Sequence, residues 1–109
     1  VLVLGLAFKE NCPDLRNTRV TDIIDELRSY SVEVEVHDPW VSPAQARHEY
    51  GISPVAEPAP GSYDAVILAV AHREFVAMGA EGVRALCRPG AVVFDVKRVL
   101  PRGCADDCL

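Results

Sequence analysis

The chain has 109 residues and a formal net charge of −5, with half its residues hydrophobic and a quarter charged. That is the balance of a globular protein large enough for one core. An acidic domain repels nucleic acid unless it gathers a basic patch, and the eleven Lys and Arg residues are spread along the chain, so no nucleic-acid partner is expected. No apolar run approaches the roughly 20 residues that span a bilayer, and no basic segment leads into an apolar stretch and a cleavage site. A cytoplasmic domain with no membrane contact is expected. Cys12, Cys87, Cys104 and Cys108 form no CxxC pair, which argues against a disulfide scaffold or a metal site.

The first seven residues, VLVLGLA, are apolar without alternation, as in a strand buried on both faces of a parallel sheet. A strand beginning at Val1 suggests a piece of a longer protein. From Thr18, Val20, Ile23, Ile24 and Leu27 lie at the spacing of one helical face, with Asp14, Asn17 or Thr18 available as a cap. Val32–Asp38 alternates Val with Glu or His, which predicts a strand nearer a sheet edge. Pro39 then turns the chain. Ser42, Pro43 and Gly51 bracket a short helix as cap, first residue and terminator. Asp64–Val70 is a second continuous apolar run and reads as a central strand. The segment from His72 to Gly90 is helical in pattern but interrupted by Gly79 and Gly82, which predicts two short helices or one kinked one. Ala91–Lys97 is the last buried strand. Residues 104–109 read as a flexible tail carrying Cys104 and Cys108 as exposed thiols.

Strands alternating with helices predict a Rossmann-like three-layer α/β/α domain with a mostly parallel sheet, over residues 1–103. Ligands of such folds bind beyond the carboxyl ends of the strands. Charged residues gather there: Lys9 to Arg16, His37 and Asp38, His72, and Asp95, Lys97 and Arg98. The first strand is followed by Gly5 alone rather than by GxGxxG, so an ordinary dinucleotide site is not expected. Each charged residue has two readings. Lys9 and Arg16 could meet phosphate through side-chain charge, or Arg16 could simply pair with Asp14. Asp38 could bind a ribose hydroxyl or form a turn. His72 is more often a cap or turn residue than a base. Lys97 and Arg98 could sit in water. Cys12 has no general base that the sequence identifies.

GLAFKENCPDLRNTRVTDII, HDPWV, LAVAHREF and FDVKRVLP together resemble the C-terminal domain of the UDP-glucose/GDP-mannose dehydrogenase family. FKENCPDLRNT resembles the branch that oxidises UDP-N-acetylhexosamines for surface polysaccharides. The resemblance implies a nucleotide-sugar-binding domain of an enzyme that oxidises a C6 alcohol to a carboxylate in two NAD-dependent steps. In that family an N-terminal domain binds most of the NAD, a helical domain follows, and the catalytic Cys lies upstream. Cys12 is not that residue, so no catalytic residue is expected in this chain. The implied substrate contacts are Phe8, Lys9 and Arg98, with Lys97 open as an alternative to Arg98. Arg16 is the implied NAD-facing arginine, and Asp14 is read as orienting it. Expected partners are a UDP-sugar, NAD, the two missing domains and, at full length, a second subunit. The rival class is a non-catalytic Rossmann-like module that binds a nucleotide or a partner protein for regulation.

Overall fold

The computed structural model describes residues 1–16, 18–97 and 100, and the backbone of 107 and 108. The elements are β1 (Leu2–Leu4), α1 (Val20–Ser29), β2 (Glu35–His37), α2 (Pro43–Tyr50), β3 (Tyr63–Leu68), α3 (Arg73–Arg84), β4 (Cys87–Asp95) and the two-residue β5 (Asp107–Cys108). The strand order is β2-β1-β3-β4-β5 and every pairing is parallel. The expected α/β architecture is therefore present. The expected tail, 104–109, lies outside the described residues apart from that short pairing.

The alternating strand is at the edge and the continuous apolar ones lie inside, as hydropathy requires. Val3, Val36, Leu6 and Ile24 belong to a core cluster that also takes in Ala46 of α2. Leu2, Leu4, Val66, Leu68 and Val93 form a second cluster with Phe75 and Val83 of α3. The sheet is thus covered by α1 and α2 on one side and α3 on the other. One expectation fails: β4 keeps a partly open face. Val92 is 50% exposed and Phe94 is half-buried, and neither joins a buried cluster, because the helices on that side cover chiefly β1 and β2.

Local signals account for the helix ends. Ser42 caps α2 by accepting the Gln45 N–H, Pro43 is the first helical residue, and Gly51 closes the helix at φ 66°. The Thr18 hydroxyl accepts the Val20 N–H at 3.2 Å and donates to the Leu6 carbonyl at 2.7 Å, fastening α1 to the end of β1. α3 is kinked at Gly79, where φ is 65°, while Gly82 stays helical. β1 is shorter than its apolar run because Gly5 leaves the strand at φ 103°, although its N–H still bonds the His37 carbonyl at 2.8 Å. β4 begins earlier than its apolar run, since Tyr63 pairs with Cys87 across a register shift.

Candidate functional site

β2 and β3 both neighbour β1 while the chain passes from one side of it to the other. The crevice beyond the carboxyl ends of β1 and β3 is therefore the place where this architecture opens for ligands. A cleft of ≈ 340 Å³ lies there, lined among others by Phe8, Arg19, Val70, Val96 and Lys97. Phe8 is 52% exposed. Lys9 beside it is exposed, and its side chain makes no ion pair among the described residues. The cleft thus combines an apolar floor, an open aromatic ring and the cationic Lys97 and Arg19. Such a combination suits a planar, anionic ligand such as a nucleotide.

The turn carrying Phe8 and Lys9 is held from below by Asp38, whose carboxylate is fully buried. Its Oδ2 accepts the Leu6 N–H at 2.7 Å, the Ala7 N–H at 2.9 Å and His72 Nε2–H at 2.9 Å; Oδ1 accepts the Trp40 N–H at 2.8 Å. Burial alone pushes this carboxyl up, but the bonds from His72 and the three amides outweigh it and hold the group below the usual carboxylate range. With both oxygens engaged, Asp38 is not free to bind a ribose, which decides between its two readings. His72 is fully buried as well. Its Nδ1 accepts the Asn11 N–H at 2.9 Å. An amide N–H can only donate, so Nδ1 carries no proton and the ring is the neutral Nε2–H tautomer. His72 precedes α3, yet its side chain does not cap that helix.

The ring is roofed by Trp40, stacked at 5.9 Å between centroids, with the Arg73 guanidinium 4.7 Å above the indole. Trp40 Nε1–H donates to Glu74 at 2.8 Å. Asn11, at φ 53°, returns its side-chain oxygen to the Arg73 N–H at 2.8 Å. Asn11 and Trp40 were not singled out for these roles in the sequence, whereas Thr18, one of the candidate caps of α1, does accept the Val20 N–H. The contacts of Asn11 and Trp40 join residues far apart in the chain, which no local pattern announces.

Arg16 stands apart from the cleft. It forms a two-pronged pair with Asp14, Nε to Oδ1 at 3.1 Å and Nη2 to Oδ2 at 3.2 Å, while its side chain stays 81% exposed. The hydrogen bond from Arg16 holds the Asp14 carboxyl below its ordinary value. The pair leaves part of the guanidinium facing solvent. Arg98 lies outside the described residues. Cys12 is half-buried in the same loop. Among the described residues no His, Cys, Asp or Glu cluster could hold a metal, and no helix is long and apolar enough to cross a membrane.

Comparison with known proteins shows the family of the domain that carries this rim. Residues 2–102 match the model of the UDP-glucose/GDP-mannose dehydrogenase family, UDP binding domain. The chain belongs to this family. It is 56% identical over 106 residues to a UDP-N-acetyl-D-glucosamine 6-dehydrogenase of Pseudomonas aeruginosa, covering 97% of this chain and 25% of that protein. It is 50% identical over 101 residues to the Salmonella typhi protein of the same description, covering 93% and 24%. Among solved structures, a UDP-D-ManNAc dehydrogenase from Pyrococcus horikoshii superposes with a TM-score of 0.71 at 25% identity, over 93% of this chain and 22% of that one. The UDP-binding domain described here therefore spans about a quarter of the length of these relatives, which are oxidoreductases.

Proposed function

We propose that this chain is the substrate-binding domain of an NAD-dependent UDP-sugar 6-dehydrogenase of the UDP-N-acetylhexosamine branch, acting in the cytoplasm as a homodimer and supplying acidic sugars for surface polysaccharide. The observation that carries the reading is the cleft beyond the ends of β1 and β3, lined by Phe8 and Lys97 with the exposed Lys9 next to Phe8 in the chain, in a UDP-binding domain. Phe8 offers a face to the planar base. Lys9 and Arg98, with Lys97 beside it, meet the diphosphate. Charge-assisted hydrogen bonds of this kind contribute about 1.5–3 kcal/mol each.

NAD does not fit the rim as its main holder. A dinucleotide cradle needs glycine backbone open to the pyrophosphate, whereas here Leu6 and Ala7 are buried and Gly5 lies against Val70. The cofactor belongs to the remainder of the longer protein, and Arg16 is this chain's contribution toward it. Bound NAD would supply the hydride acceptor; the residues of this domain bind and orient the UDP end of the substrate.

Calorimetric titration of UDP into the full-length protein tests the assignment. Lys9→Ala and Arg98→Ala should each weaken UDP binding about tenfold or more, since 1.4 kcal/mol is a decade. Arg16→Ala should spare UDP and raise the concentration of NAD required. Unchanged UDP affinity in both Lys9→Ala and Arg98→Ala would refute the site. Turnover of UDP-N-acetylhexosamines against UDP-hexoses with NAD tests the branch.

A further inference from the structure

We propose that Asp38 and His72 are positioning residues for nucleotide binding, which clamp both ends of the Phe8–Lys9 turn without touching the ligand. The inference rests on the nucleotide reading above. The two side chains are fully buried and bonded to each other; Asp38 also holds the Trp40 amide of its own turn, and the pair's other three bonds run to the backbone that flanks Phe8 and Lys9. Asp38 takes the amides of Leu6 and Ala7, immediately before Phe8. His72 takes the amide of Asn11, two residues after Lys9. A second bond on that side, from the Arg73 N–H to Asn11 Oδ1, and the Phe8 N–H to the Asp14 carbonyl at 2.7 Å complete the frame.

A buried pair that served only the core would have no need of this arrangement. Here the neutral imidazole is spent at both nitrogens, donating to one anchor and accepting from the other. It therefore couples the start of the turn to its end across the tops of β1, β2 and β3. A turn fixed before binding presents Lys9 to the ligand without an ordering cost at the moment of association. The Trp40–Arg73 roof keeps water from competing for either nitrogen.

The test uses the full-length protein and UDP, with two variants that separate the bonds. His72→Asn retains an acceptor near the place of Nδ1. His72→Gln retains a donor near the place of Nε2 and gives up the acceptor for Asn11. At temperatures where both are folded, UDP affinity should fall tenfold or more in His72→Gln and by less in His72→Asn. A purely structural role would lower the melting temperature and leave the affinity of the folded fraction unchanged, and that result overturns the inference. Lys9→Ala is the control. Lost affinity there with normal affinity in both His72 variants rejects the positioning role alone; normal affinity in Lys9→Ala also rejects this inference, and normal affinity in Arg98→Ala as well rejects the nucleotide reading with it. If neither His72 variant folds, the unmutated protein still decides. Nitrogen–proton NMR should show the Nε2–H tautomer and slow exchange of the Asn11 amide beside fast exchange at Glu10. Fast exchange at Asn11 overturns the inference.

Discussion

Four donors converge on the Asp38 carboxylate, three of them backbone amides that cannot turn away. Asp38→Asn would set an NH₂ group against one of these donors, at a cost of about 1–3 kcal/mol for the buried unsatisfied group. The same geometry fixes a pH dependence. The folded carboxyl titrates below its unfolded value of about 3.9, so its contribution to stability is present above that pH and is lost as pH falls through the lower, folded value. Urea melts from pH 7 to pH 3 should show an acid-side loss of stability that is smaller in Asp38→Asn, whose stability at pH 7 is already reduced. The HDP motif announced a turn, and the turn is there. Its burial was not legible, because the partner that completes it, His72, lies 34 residues further on.

Among the elements, β1 depends on one glycine. A Cβ on Gly5 would stand 2.6 Å from Val70 Cβ and 2.9 Å from the Val70 backbone nitrogen, at a φ of 103° that side chains rarely adopt. Gly5→Ala should therefore cost about 3 kcal/mol through overpacking and backbone strain together, read as a fall in the urea midpoint. A wild-type midpoint would mean that the segment after β3, at Val70, can move aside. The elements most legible in the sequence were those written in neighbouring residues: α2 from Ser42, Pro43 and Gly51, and the kink of α3 at Gly79. Strand limits were less legible. β1 stops at a backbone angle that only tertiary packing requires, and β4 starts early because Tyr63, a distant residue, pairs with Cys87.

At the scale of the molecule, apolar runs against one alternating strand were enough to place β2 at the edge and β1, β3 and β4 inside. The open face of β4 was not legible, since it depends on how far α1 and α2 reach across the sheet. The cleft was legible as a position, beyond the strand ends, while its lining by Arg19 and Val96 was not. The chain spans about a quarter of its relatives' length and lacks a dinucleotide cradle in its described rim. It should therefore bind UDP yet form no NADH when mixed with NAD and a UDP-sugar. Absorbance at the NADH band checks this, and turnover by the isolated chain would contradict the division of labour proposed here.

The turn tied at both ends also bears on how fast a ligand can be captured. With Leu6, Ala7 and Asn11 already bonded, UDP arriving at the site proposed above would have no slow rearrangement of the turn to wait for. Association should be a single exponential in stopped flow, with an observed rate rising linearly with UDP concentration and a rate constant at or above the roughly 10⁵–10⁷ M⁻¹s⁻¹ of orientation-limited encounters. Raising the salt should slow it, because the cations Lys9 and Lys97 would steer the anionic ligand. An observed rate that levels off at high UDP would reveal a turn that closes only after the nucleotide has arrived.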